Sequence, residues 1–539
     1  MYKNFDIVLR LDYIDIFDDG SVNIYDFLKG ISQKDLFEAA ISAIAIANNE
    51  NSDWHNIEKF IFEKFFSSEN KEFANFVWKK FDAKNKNQTK KDGYTHNFRI
   101  FDQISGLLLF KCILENPNKE TSTSLSKIEV EQKLFKAFLV VNQELNKKDD
   151  IAIKSLEPIL SNENISGALL TWSIGYGEVY NQTFFWRGAF ALIQLVKAKY
   201  LFEFLNEKYP ILLNEFLLNF KVGSYKEYLK FLLPIALHNK PHQDGSIKLF
   251  VSEGANFSRK IFFLEKFTFN TDSLISDDDF REVRSSPLLK IDENEFMVII
   301  ENFAIDKIFY GLYFDLNSVN NSLSNGVKIP NFRSEYCNEF SEKTLLYKTL
   351  KVYQNKRRII SFSGEQILKQ FHFSGEPDFY IRHGNKILIF ENKDILIDSL
   401  TKISYDYEEI KKKLESRLND KAGINQIINN IRFILNQSYP FDKNYNPERA
   451  IIYPLLVVHR NEFDAPGLNT IINDLFKIEL TKIKNEGLDV SRVKDLVIIN
   501  IDTLIILKDS IRKSEILLTG ECKLNCVKDF YNSLVVNSK

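Results

Sequence analysis

The chain has 539 residues, 44% apolar and 27% charged. That balance is ordinary for a globular protein and excludes a disordered tail, a collagen-like repeat and a disulfide-stapled mini-protein. Lys plus Arg total 71 and Asp plus Glu 73, so bulk charge announces no nucleic-acid partner, and any such contact has to come from a local site.

The opening stretch, MYKNFDIVLRLDYIDIF, carries charges throughout and reads as neither a signal nor a transit peptide. No window of 18 apolar residues is free of charge, so no membrane span is expected. The most apolar stretch, 184–201, is interrupted by Arg187 and Lys197 and predicts a buried helix. Four cysteines do not make a disulfide framework. Cys522 and Cys526 have no second Cys/His pair nearby, which argues against zinc. A cytoplasmic protein in a reducing compartment is expected.

Taken in order, residues 1–270 read as mainly helical. An Ala/Ile-rich helix is predicted at 35–48. Aromatic residues at helical spacing mark 56–66, and similar periodicity recurs at 130–145, 184–207, 211–220 and 225–237. The Lys- and Asn-rich stretch 79–99 reads as an exposed loop. Residues 271–330 read as a connector holding two short strands, at PLLKI and FMVII, then a helix at 303–316 and a linker at 317–325. From 331 to 539 the pattern alternates helix and strand. The apolar runs 452–459 and 495–501 have the length of buried strands, so an α/β C-terminal domain is predicted.

One segment in that domain carries chemistry. Asp378 opens a strand-like stretch, Arg382-His383-Gly384-Asn385 is a polar turn, and 386–393 is a second strand ending Glu391-Asn392-Lys393. A two-residue turn fits at His383-Gly384 or at Gly384-Asn385. Either choice puts Asp378, Glu391 and Lys393 on one face of the sheet, because side chains alternate with period two. The second choice sets the two carboxylates directly opposite each other. Adjacent buried carboxylates repel, and a hard divalent cation removes that repulsion. Mg²⁺, or Mn²⁺ in its place, would make a bound water more acidic, with Lys393 orienting it or steadying charge on a phosphate. This is equipment for phosphodiester hydrolysis.

Pro377-Asp378, twelve residues, then Glu391-Asn392-Lys393 resembles the motif of the PD-(D/E)xK nuclease superfamily. The resemblance covers 331–539 and implies a restriction-endonuclease-like mixed sheet flanked by helices. It implies Asp378 and Glu391 as metal ligands, with the Asn392 carbonyl as a third. In that family a Glu from the helix before the hairpin often completes the metal site. Here Glu342, on the apolar stripe of a helix at 340–353, is the candidate, with Glu339 and Glu365 as fallbacks. A Gln early in the helix after the hairpin often faces the site, and Gln426, in the helix at 422–435, matches it.

Other features carry less. Gly175-Tyr176-Gly177 has no continuation toward a nucleotide loop. Residues 252–258 read as a turn, and Pro241 breaks any helix aligning His238 with His242. His372, His383 and His459 read as solvated or satisfied. Basic clusters lie at 79–91, 356–358 and 411–413. Lys356, Arg357 and Arg358 are the best placed for phosphate contact without sequence choice.

The expectation is therefore a metal-dependent endonuclease acting on nucleic acid, most readily DNA, in defence against phage or foreign DNA, and able to pair as a homodimer. The helical region would sense a ligand or bind a protein partner. The alternative is a binding or sensing subunit of a defence complex whose nuclease-like domain is silent or partner-dependent.

Overall fold

A computed structural model describes residues 7–17, 20, 22–47, 62–87, 96–117, 119–156, 165–180, 187–236, 246–354, 358–419 and 423–506. Lys356, Arg357, His238, His242, Cys522 and Cys526, together with 56–61 and 88–95, lie outside them. The chain divides into two compact units. The first holds Met1–Lys154, Glu178–Ala198 and Ile211–Val319, and the second Ser155–Gly177, Lys199–Pro210 and Asn320–Lys539. Among the described residues no helix is long and apolar enough to cross a membrane.

The first unit is mainly helical, as its periodicity predicts. The unit holds a parallel pair, β1 (Ile7–Arg10) and β2 (His96–Arg99), with helices α1 (Gln33–Ala47), α2 (Gln103–Glu115) and α3 (Lys127–Leu156). Buried Asn142 donates to the carbonyls of Leu11 and Ile100, 2.8 Å each, and so ties α3 to the loops leaving both strands. The Phe richness is spent here, as Phe62, Phe65, Phe66, Phe101 and Phe138 all pack around Phe135 or its ring neighbours. A three-stranded antiparallel sheet runs in the order β3 (Lys248–Phe250), β5 (Glu295–Val298), β4 (Leu288–Lys290). The latter two are the predicted strands.

Several local expectations are corrected. Residues 79–87 continue the helix Lys71–Asn87 rather than forming a loop, and β2 closes the stretch. Val77 and Phe81, four apart and fully buried, give an otherwise polar segment the apolar stripe a helix needs. The linker at 317–325 is helical as far as Ser322, since the helix Tyr310–Ser322 runs through it, and 303–306 belongs to a separate helix, Glu301–Asp306.

The second unit is an α/β layout around a five-stranded mixed sheet. Its order is β10 (Val497–Asn500), β9 (Ile451–Val458), β8 (Lys386–Lys393), β7 (Phe379–His383), β6 (Ile359–Ser363). Strands β6, β7 and β8 are antiparallel, while β8, β9 and β10 are parallel. A continuous helical run α4 (332–353) precedes the sheet, and it is π-helical over Tyr336–Leu346. Strand β6 and helix α5 (Gly364–Phe371) lie between α4 and the hairpin, where no element was predicted. Helices α6 (Tyr407–Leu418) and α7 (Ile424–Leu435) separate β8 from β9, and α8 (Leu468–Asn485) separates β9 from β10.

Alternation sorts the sheet faces. Tyr380, Ile387, Ile389, Ile452 and Leu456 share a core with Ile427, Ile431 and Ile472 of α7 and α8. The opposite face carries Phe379, Ile381, Leu388 and Phe390, and Tyr347 of α4 packs its ring against Phe379.

Candidate metal and catalytic site

The hairpin between β7 and β8 pairs His383 with Lys386 and Phe379 with Phe390. The turn is thus Gly384-Asn385, the second of the two predicted registers. Gly384 has φ +60°, and glycine at the first central position suits a type II′ turn. Continued by one residue, this register sets Asp378 level with Glu391. Residues 391 and 393 share parity with Ile387 and Ile389, so Glu391 and Lys393 lie on the α7 face.

The contacts bear this placement. The Asn392 N–H donates to Asp378 Oδ2 at 2.6 Å. Lys393 Nζ donates to Glu391 Oε1 at 2.6 Å, with 17% of the lysine and 1% of the glutamate side chain exposed. The second Glu391 oxygen, Oε2, is buried with no hydrogen-bond partner. A buried carboxylate oxygen left unsatisfied is costly, and it is where an oxygen-seeking ion would sit.

Electrostatics report the same crowding. Burial, then the charge of Glu342, pushes the Asp378 carboxyl up to about 7 against the pull of Lys393. Burial and the charge of Asp378 push Glu391 well above the ordinary carboxylate range. Glu342 is raised by burial, although Tyr347 donates to its Oε1 at 2.9 Å. Lys393 is opposed by burial, but Glu391 and Asp378 raise it, so it stays an ammonium. Three carboxylates destabilise one another's charge around one cation.

The sequence-predicted residues fare differently. Asp378, Glu391, Asn392 and Lys393 are brought together. Of the three upstream glutamates, Glu339 is engaged by Lys208 and Lys343, and Glu365 pairs with Lys369 at 2.7 Å. Glu342 is the one whose charge reaches Asp378. Gln426, in the first turn of α7, donates to the Glu376 carbonyl at 3.3 Å. It braces the backbone two residues before Asp378. Arg358 is exposed at φ +73°, and no contact of it with the site is seen. Lys413 pairs with Asp398 at 2.5 Å. Gly175 and Gly177 lie inside the helix Ile165–Tyr180, where Gly175 abuts the Tyr405 ring.

The residues suit a hard cation in part. Among the described residues no group of three or more His, Cys, Asp or Glu side chains is gathered to hold a metal ion. What is present is a pair of carboxylates with one open buried oxygen, and a backbone carbonyl at Asn392. Mg²⁺ accepts one or two carboxylates and keeps its waters, so this donor set fits it.

Four residues that sequence reasoning did not assign stand around the site. His459, just past β9 and 3% exposed, has Nε2 2.7 Å from Asn392 Oδ1. Tyr347 holds Glu342. Gly364 donates its N–H to the Asp378 carbonyl at 2.9 Å. Asp394, next after Lys393, is bonded by Arg333 and Ser341 of α4. Burial works against its charge, yet Arg333 and His459 hold the carboxyl down to about 2. Of these, His459 is read from the sequence as solvated or satisfied, and it is satisfied here; Asp394 stands directly after the motif.

No protein-family model matches this chain, and neither a curated protein nor a solved structure is found similar to it.

Proposed function

We propose that the second unit is a metal-dependent nuclease domain of restriction-endonuclease-like fold, hydrolysing phosphodiester bonds in nucleic acid. The observation that carries this reading is the hairpin end. Asp378, just before β7, accepts from the Asn392 N–H of β8, Glu391 has a buried unpartnered oxygen, and Lys393 lies two residues on along the same face. The helix before the sheet, the antiparallel hairpin and the α–β step after it also agree with the resemblance in the motif.

Asp378 and Glu391 would hold Mg²⁺ or Mn²⁺, with the Asn392 carbonyl beside them. The ion, when bound, supplies Lewis-acid polarisation of a phosphoryl oxygen and a more acidic water. Asp378 is oriented by the Asn392 N–H and by backbone braces at Gly364 and Gln426. Lys393 is aimed by Glu391 and kept charged, so it can orient a water or steady the charge building on phosphate oxygens. Glu342, pinned by Tyr347, adds negative potential that favours cation capture. DNA is the substrate class we propose, and defence against foreign DNA the setting.

The test is incubation of the full chain with plasmid, single-stranded DNA and RNA in Mg²⁺ or Mn²⁺, beside Asp378→Ala and Lys393→Ala. Cleavage by the wild type that both variants lose supports the reading. Cleavage surviving both substitutions refutes the site. Metal binding without cleavage of any substrate would favour a silent or partner-dependent subunit.

A further inference from the structure

The C-terminal end of β8 is held from behind. Glu391 and Lys393 face α7, so by alternation Asn392 and Asp394 face α4. The contacts agree. Asn392 is tied to His459. Asp394 receives three residues of one helix stripe, Arg333, Cys337 and Ser341, each four apart and thus on one side of α4. Arg333 Nη2 donates to Asp394 Oδ1 at 2.8 Å and to its backbone carbonyl, Ser341 Oγ donates to Oδ2 at 2.5 Å, and Cys337 Sγ lies 3.4 Å from the carbonyl. Both side-chain oxygens and the backbone oxygen of one residue are therefore committed to one helix.

Besides any stability it lends, a buried ion pair of this kind can fix geometry. What is specified here is the position of α4 along β8. Glu342 is the neighbour of Ser341 on α4, while Glu391 and Lys393 lie just upstream of Asp394 on β8. Glu342 lies in the π-helical stretch and accepts from Tyr347 at 2.9 Å, and the Tyr347 ring packs on Phe379, the residue after Asp378.

We infer that Asp394 is a positioning residue, gripped by Arg333, Cys337 and Ser341 so that Glu342 of α4 is held beside Asp378 of the proposed metal site. It rests on the reading of Asp378 and Glu391 as a cation site. Asp394 is not a ligand, since its oxygens are taken and it faces the other side of the sheet.

The experiment is a double-mutant cycle on Mn²⁺ affinity, read from the free-Mn²⁺ electron paramagnetic resonance signal during titration of the full chain. Wild type, Ser341→Ala, Glu342→Gln and the double variant are compared. Ser341→Ala should weaken Mn²⁺ binding severalfold, by displacing the Glu342 charge that favours cation capture. The double variant should bind within about twofold of Glu342→Gln alone, because the first substitution acts through the second residue. Arg333→Lys, which keeps the charge and loses the fork, carries the same cycle if Ser341→Ala does not fold by circular dichroism. Unchanged affinity in Ser341→Ala and Arg333→Lys, or losses that simply multiply in the double variant, would overturn the inference while leaving the metal site standing. A wild type that binds no Mn²⁺ would instead remove the site reading, and the inference with it.

Discussion

Replacing Asp378 by Asn puts a neutral group of the same shape where the fold disfavours a charge. In the folded chain this carboxyl is pushed from 3.8 up to about 7 by burial and by Glu342. At 1.36 kcal/mol per pH unit, ionising it without a metal costs about 4 kcal/mol, or about 2–3 kcal/mol once solvent reaches the half-buried group. The sign follows from linkage. A raised carboxyl makes the folded state hold its proton longer, so its contribution to stability is greatest below pH 3.8 and is lost as pH rises through about 7. Metal-free wild type should therefore lose stability relative to Asp378→Asn between pH 4 and pH 8. The variant should come out about 2–3 kcal/mol more stable at pH 8 and equal near pH 4. Urea unfolding in EDTA, followed by circular dichroism at several pH values, measures this. Mg²⁺ at ten times its Kd should return about 1.4 kcal/mol to the wild type and nothing to the variant. A difference between the two proteins that is flat with pH, or an Asn variant less stable at pH 8, would refute the reasoning.

Other expectations follow from single contacts. Lys393→Met should cut cleavage by roughly a hundredfold or more while Mn²⁺ binding, measured by titration, survives. Asp442→Asn should destabilise the second unit by about 3 kcal/mol, since Arg382 binds Asp442 through two nitrogens in a dry setting and Tyr380 donates to the same carboxylate at 2.8 Å. Urea unfolding would show it with Mn²⁺ affinity unchanged. Gly364→Ala would bring a methyl 3.0 Å from the Pro377 carbonyl, pushing the backbone that carries Asp378. Activity should fall severalfold with little change in unfolding midpoint, and a comparison of the two decides it.

Much of the candidate site was legible because strand parity is rigid. Once 378–381 and 386–393 read as strands, either turn put Asp378, Glu391 and Lys393 on one face, and Gly384 then chose the register. The choice among Glu339, Glu342 and Glu365 was not legible, because it depends on which lysines reach them, and Lys208 lies 131 residues from Glu339. Strand β6 was missed because IISFS is short and half-buried. The capping box Ser363-Gly-Glu-Gln366 after it is a local signal that marks the start of α5. The joining of 155–177 and 199–210 to the sheet unit left no local trace. Gly167 and Gly175, eight apart on one helix, abut the rings of Tyr407 and Tyr405, a fit visible only after folding.

Whether Asp378 and Glu391 share a cation is read directly from a crystal of the wild-type chain soaked in Mn²⁺ and measured for anomalous scattering. A peak is expected between the Asp378 carboxylate and Glu391 Oε2, absent in crystals of Glu391→Gln. No peak there at saturating Mn²⁺, or a peak that survives in Glu391→Gln, would contradict a shared cation site.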